Sequence, residues 1–555
     1  MRINRRKALA LFGLGAGAAA GPALADNRVV SFRHGVASGD PLSDRVILWT
    51  RITPTDAADA PVAYSWTLTP VEAGRGKAKS GKGTTDSSRD YTVKVDVTGL
   101  AANCAYKFQF SANGVKSPVG QTRTLPVGAV DEVVLAVATC ALYTNGYFNA
   151  YQAIADMDRV DAVLHLGDYI YEYAPEQYGY ENGSKIGRLP EPPREIVTLN
   201  DYRIRHACYK SDPQLQAAHA RAPWIVVWDD HETANDSWKD GAENHQPALE
   251  GDWNQRKAVA IKAYYEWMPI REPRDGGFAI NRTFEFGNLL TLFMLETRLT
   301  ARDHQLNYEK DLNGADGKPD VAAFRKRLND PARQMMGASQ ADWLAKGLKA
   351  SVKAGQTWQV LGNEVVMARL GVPDIRANVS PEILDAALAK LPASGSARID
   401  RMARMTPLGL PYGLDMWDGY PAERQRLYAS FEAAKANVVV LSGDSHAFWA
   451  NELYDAPEGG KLAAVEFGST GITSPGAGDA LPGIPVGEVF AKANREVIYS
   501  DQAAKGFIRL TLTHTALRAD MVAVSTILEK TFTTQVLKSF TATPGKDGVS
   551  RLKAL

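Results

Sequence analysis

Apolar positions along this chain follow two different patterns, and the switch falls close to residue 126. Upstream the apolar runs are short and separated by turn signals. Arg45 to Thr50 and Ala63 to Leu68 each read as a strand. Tyr91-Thr92-Val93-Lys94-Val95-Asp96-Val97 alternates, and Tyr106, Phe108 and Phe110 keep the same period of two, the mark of half-buried strands. No helical spacing interrupts the region, so residues 26–126 are expected to form a small all-β sandwich that ends in the linker Thr124-Leu125-Pro126-Val127-Gly128. Downstream the runs become continuous: Val133 to Ala138, Ala162 to Leu166, Ala222 to Trp228, Trp358 to Leu361 and Val438 to Leu441. Stretches with helical spacing lie between them, at Tyr147 to Met157, Asn254 to Trp267 and Pro421 to Ala436. That alternation predicts an α/β domain over 127–555 with central strands buried on both faces.

The first 25 residues stand apart. Arg2, Arg5, Arg6 and Lys7 precede an apolar, small and glycine-rich stretch from Ala8 to Ala20, and Ala23-Leu24-Ala25 has small residues where a signal peptidase cuts. Residues 1–25 therefore read as a signal peptide. The adjacent Arg5-Arg6 points to the twin-arginine (Tat) export machinery, with an ordinary Sec signal as the alternative. The apolar stretch is too short to predict a membrane span, so the mature chain is expected to be periplasmic or secreted with no stable membrane span.

Composition narrows the reading further. The 555 residues are 45% hydrophobic and 23% charged, enough for a large buried core and inconsistent with disorder. Formal net charge is zero, and the leader's four basic residues have no acidic counterpart, which leaves the mature chain near −4. Nothing in this balance calls for nucleic acid as an obligate partner. Of the three cysteines, Cys104 and Cys208 fall in different expected domains, which favours free thiols, and Cys140 ends an apolar run.

The candidate chemistry lies where the apolar runs stop. Cys140, Asp168, Asp230, His231, Asp444 and His446 all follow such runs, and sites in open α/β sheets form beyond the carboxyl ends of strands. Each has a bland counterpart. Gly167-Asp168 can begin a turn, and Gly443-Asp444-Ser445-His446 can cap a helix. The acids of Asp229-Asp230-His231-Glu232 can sit at a helix N-terminus, and Cys140 can be a small buried hydrophobe. Converging carboxylates are costly to bury without compensation, so the set as a whole predicts a site for two or three cations.

The combination resembles the calcineurin-like metallophosphoesterases, and within them the alkaline phosphatase D (PhoD) family. The motifs are His34-Gly35-Val36-Ala37-Ser38-Gly39-Asp40-Pro41 and Leu48-Trp49-Thr50-Arg51, then Leu164-His165-Leu166-Gly167-Asp168-Tyr169-Ile170-Tyr171-Glu172-Tyr173. They continue with Trp228-Asp229-Asp230-His231-Glu232, Trp417-Asp418-Gly419-Tyr420-Pro421, Gly443-Asp444-Ser445-His446 and Thr473-Ser474-Pro475-Gly476. They run in order over nearly the whole mature chain. The resemblance implies an α/β fold with a metallophosphoesterase-type β-sandwich core flanked by helices (αββα), preceded by a fibronectin-like all-β sandwich.

It also implies roles. Cys140, Asp168, Tyr171 and His446 would hold Fe³⁺. Asp168 would bridge to a second, oxygen-rich site with Asp230 and Asp444, where hard ligands favour Ca²⁺ over Zn²⁺. Asn235 and Asn363 are candidates for a missing oxygen ligand, with a turn or cap as the alternative for each. His231 would contact phosphate or act as a general acid, with a structural histidine as its alternative. Arg298 would contact phosphate, with an ion pair to a neighbour as its alternative. The expected activity is that of an exported phosphoesterase acting on monoesters, and on some diesters, through a metal-activated hydroxide, with a small phosphate ester as substrate. A phospholipase D-like phosphodiesterase shares the ligand set, and a non-catalytic protein that binds through its sandwich is the alternative of another class.

Overall fold

The computed structural model describes residues 29–55, 60–273, 277–314, 317–391 and 393–555. The basic start and the apolar leader over 1–25 lie outside the described residues. No helix among the described residues is long and apolar enough to cross a membrane.

Two large sheets organise the chain. In the ten-stranded sheet the neighbouring strands Glu132–Ala138, Ala162–His165 and Trp224–Val226 run parallel. In the seven-stranded sheet Leu290–Met294, Trp358–Gly362, Val438–Ser442 and Leu462–Gly468 are parallel neighbours. Their side chains sort with a period of two. Leu292, Val360 and Val439 join the core shared with Leu135 and Val163 of the other sheet. Phe293, Leu361 and Val440 point the opposite way, into a second core with Leu344 and Leu348 of helix Gly337–Lys353 and Leu427 and Phe431 of helix Pro421–Ala434. Both faces are thus covered, which is why these strands read as continuous apolar runs. Helices Asn149–Ala155, Leu199–Lys210 and Pro213–Arg221 flank the larger sheet, and the last two are capped by Thr198 and Asp212. This is the expected αββα arrangement.

The N-terminal region is the expected antiparallel sandwich. One layer contains Val62–Pro70, Lys79–Thr85, Ala105–Ala112 and Gly120–Arg123. The other contains Val36–Gly39, Arg45–Arg51 and Thr92–Thr98, and it continues the ten-stranded sheet through the single pair Gly39–Trp224. Trp49 strengthens the junction: it is fully buried, and its Nε1 donates to Glu266 O at 2.9 Å. Cys104, Cys140 and Cys208 are all unpaired.

Several strands lie beyond those the apolar runs mark. Phe448–Tyr454 and Leu462–Gly468 carry buried Asn451, Glu452 and Glu466, which interrupt the hydrophobic pattern. Glu466 accepts hydrogen bonds from the Met367 and Ala368 amides and from Asn451 Nδ2, at 2.7, 3.0 and 2.8 Å. The antiparallel strands Lys505–Thr513, Leu517–Val524 and Thr534–Ala542 extend the edge of the larger sheet.

Candidate metal centre

The carboxyl ends of parallel strands from both sheets meet at one place. Glu132–Ala138 delivers Cys140, Ala162–His165 delivers Asp168, and Trp224–Val226 delivers Asp229 to Glu232. Val438–Ser442 of the other sheet delivers Asp444 and His446. The turns are sharp. Five of the twelve non-glycine residues with positive φ among the described residues are Cys140, Asp168, Asp236, Asp444 and His446. Such backbone costs on the order of 1–3 kcal/mol per residue and persists only where its surroundings impose it. Gly167, at φ +99°, is required by close approach: a Cβ there would lie 2.3 Å from Asp229 Cβ. At Gly443 a Cβ would lie 2.4 Å from Thr139 Oγ1.

Among the described residues three groups bring potential ligand atoms within 4.8 Å of one another inside each group: Cys140 with Asp168 and His446, Asp168 with Asp230 and His231, and Asp229 with Asp230 and Asp444. Asp168 belongs to two of them. The Tyr171 hydroxyl lies 3.0 Å from Asp168 Oδ2, 3.2 Å from His446 Nε2 and 2.7 Å from Ser474 Oγ. His446 Nδ1 is 2.9 Å from the Pro475 carbonyl, which can only accept, so the proton sits on Nδ1 and the Nε2 lone pair faces Tyr171 and Asp168.

The electrostatics favour bound cations. Burial pushes the Asp168 carboxyl well above the usual range; His231 opposes this, and Asp230 and Asp229 add to it. Burial also pushes Asp444 up, with Asp229 adding and Arg298 opposing. Burial and then Asp168 raise the Cys140 thiol, and the same two causes raise the Tyr171 phenol. Asp168 Oδ1 and Asp229 Oδ2 are buried without a hydrogen-bond partner. A thiol, a phenol, several carboxylates and an imidazole lone pair, with orphaned oxygens among them, suit transition-metal and hard divalent ions in adjacent sites.

The other sequence candidates have varied surroundings. His231 Nδ1 is 2.7 Å from Glu172 Oε2, and the ring packs at 4.1 Å, centroid to centroid, on Tyr171. Burial disfavours its charged form, but Asp230, Glu172 and Asp168 outweigh that and raise its pKa well above the ordinary value. Arg298 is fully buried and pairs with Asp229, with Asp415 at 2.7 Å and with Asp444 at 3.2 Å. Asn363 is engaged by its neighbours: its Oδ1 accepts from Trp417 Nε1 at 2.9 Å and its Nδ2 donates to Val365 O. Asn235 donates its backbone N–H to Glu172 Oε1 at 2.8 Å, and its side chain reaches Glu243 at 3.2 Å.

Further residues complete the site. Glu232 accepts from the Asp168, Tyr169 and Asp229 amides at 3.1, 2.6 and 2.7 Å and so holds two of the strand-end turns together. Ser474 Oγ bridges Tyr171 to the Cys140 carbonyl, 2.8 Å away. Both stand inside motifs already noted in the sequence. Asp415 follows no apolar run, and only the folded chain brings it to Arg298.

Comparison with known proteins shows the family. The sequence profile of the PhoD-like phosphatase family matches residues 135–521, and that of the PhoD-like phosphatase N-terminal domain matches residues 18–126. Alkaline phosphatase D of Bacillus subtilis (strain 168) is 34% identical over 537 residues, spanning 94% of this chain and 82% of the relative. A solved structure described as that of PhoD superposes with a TM-score of 0.77 at 33% identity, covering 94% of this chain and 92% of the other. The chain belongs to the PhoD-like phosphatase family of phosphoester hydrolases.

Proposed function

We propose that this protein is an exported phosphatase that hydrolyses phosphate monoesters at a mixed iron–calcium centre. The observation that carries the reading is the position of Asp168, shared by a group with Cys140 and His446 and by a group with Asp230 and His231. Cys140, Tyr171, His446 and one oxygen of Asp168 offer the thiolate, phenolate and imidazole suited to Fe³⁺. Asp168, Asp230 and Asp444 offer the all-oxygen set suited to Ca²⁺; Asn235 stays a candidate for a further oxygen, while Asn363 Oδ1 is taken by Trp417 Nε1. Bound cations would neutralise phosphate charge and lower the pKa of water. The chain's own part is to orient the ester. His231 would face the reacting oxygens, while Arg298 balances Asp229 and Asp444.

The export reading rests on Arg5-Arg6, the apolar stretch and Ala23-Leu24-Ala25, which assign 1–25 to a Tat leader and the mature chain to the periplasm or the medium. We assign 26–126 to the sandwich and 127–555 to the catalytic domain. A cavity of about 400 Å³ lined by Asp236, Trp238, His304, Tyr308, Arg401 and Asp415 favours diesters as a second reading. Two of its lining residues neighbour the site, since the Asp236 amide donates to Asp230 Oδ2 at 2.6 Å and Asp415 pairs with Arg298, and a second ester substituent would lie on that side.

The test is metal content measured alongside hydrolysis of p-nitrophenyl phosphate and bis-p-nitrophenyl phosphate. Iron and calcium with faster monoester turnover are expected. Zinc alone would remove the metal assignment, and a faster diester would favour the second reading.

A further inference from the structure

Glu172 is fully buried beside the site, yet it is in none of the groups that could hold a cation. Both of its oxygens are occupied. Oε2 is 2.7 Å from His231 Nδ1, while Oε1 accepts from the Asn235 amide and from Asn244 Nδ2, each at 2.8 Å. Asn244 is held in turn, since its carbonyl accepts from Arg256 Nη1 at 2.9 Å and the Arg256 side chain is fully buried. The His231 ring is confined by Tyr171 and Tyr173, at 4.1 and 5.3 Å between centroids. A carboxylate can only accept, so Nδ1 carries a proton, and Nε2 is the nitrogen left for the reacting group. His231 also places a ring nitrogen within 4.8 Å of Asp168 and Asp230 oxygens.

We propose that Glu172 is a positioning residue for hydrolysis: it holds the Nδ1–H of His231 and fixes the ring plane so that an Nε2–H meets the departing ester oxygen. The inference rests on the phosphoesterase reading above. As the ester P–O bond breaks, its electron pair goes to the leaving oxygen, which takes the proton from Nε2 of the doubly protonated ring and leaves the ring neutral with Nδ1–H still on Glu172. The water oxygen forms the new P–O bond, and the proton that water releases restores the ring. A leaving group that is a strong base depends on that proton, and a weak base depends on it much less.

The experiment compares kcat/KM for p-nitrophenyl phosphate and phenyl phosphate in the full, metal-loaded enzyme, with metal content measured for each variant. Glu172→Gln is expected to lose about tenfold on p-nitrophenyl phosphate and about a hundredfold on phenyl phosphate, with metal retained. Asn244→Ala, which removes one of the contacts that hold Glu172, is expected to show the same inequality at smaller size. It decides the matter if Glu172→Gln fails to fold. Equal losses on both esters, or none, would overturn the positioning role. A parent enzyme that hydrolyses neither ester would overturn the phosphoesterase reading itself and the proposal with it.

Discussion

The Tyr171 hydroxyl donates to Asp168 Oδ2 at 3.0 Å, joining the phenol of one strand-end loop to the carboxylate shared by two ligand groups. If this phenol and carboxylate bind ferric iron, the phenolate gives the protein a visible charge-transfer band. Tyr171→Phe is expected to bleach or shift that band and to lower activity at least ~10- to 100-fold, since even outer partners of metal ligands carry effects of that size. Absorption spectra with iron analysis check this. An unchanged spectrum in an iron-loaded variant would exclude Tyr171 as a ligand.

Cations should stabilise the fold as well as the reaction. Asp168 and Asp444 are buried carboxyls whose charged forms are disfavoured without them. Chelation is expected to lower Tm, and restoring a cation to a hundred times its Kd to return about 2.7 kcal/mol. In the metal-free state Asp168→Asn should unfold no earlier than the parent, because it removes a carboxyl whose burial and acidic neighbours outweigh the help of His231. Calorimetry of the two metal-free proteins checks this, and an earlier transition in the variant would contradict it.

Acid stability follows from histidines away from the ligands. Burial, aided by nearby cations, lowers the pKa of His34, His165 and His206 to about 3 each. The folded chain refuses protons that the unfolded chain binds below about pH 6.5. Their contribution is therefore intact above pH 6.5 and is lost as pH falls toward 3, at up to about 4 kcal/mol per pH unit for the three together. Urea unfolding at stepped pH measures the slope. His206→Gln should reduce it by roughly 1.4 kcal/mol per pH unit, and an unaltered slope would refute the assignment.

Continuous apolar runs such as Val438 to Leu441 announced strands buried on both faces, and the residues just after them announced the candidate ligands, because a buried strand can expose chemistry only at its ends. The alternation at Tyr106, Phe108 and Phe110 announced the sandwich in the same way. Strands with buried polar residues, such as Glu466, were illegible: their carboxylates are satisfied by partners far away in sequence. By itself, then, the sequence determined the fold class, the family motifs and most ligand candidates, since these follow from local period and residue type. Only the tertiary structure decided that Asp168 belongs to two groups, that Glu172 holds His231, and that Asp415 meets Arg298. Each is a contact between separate loops, and its distance is set by how the two sheets pack.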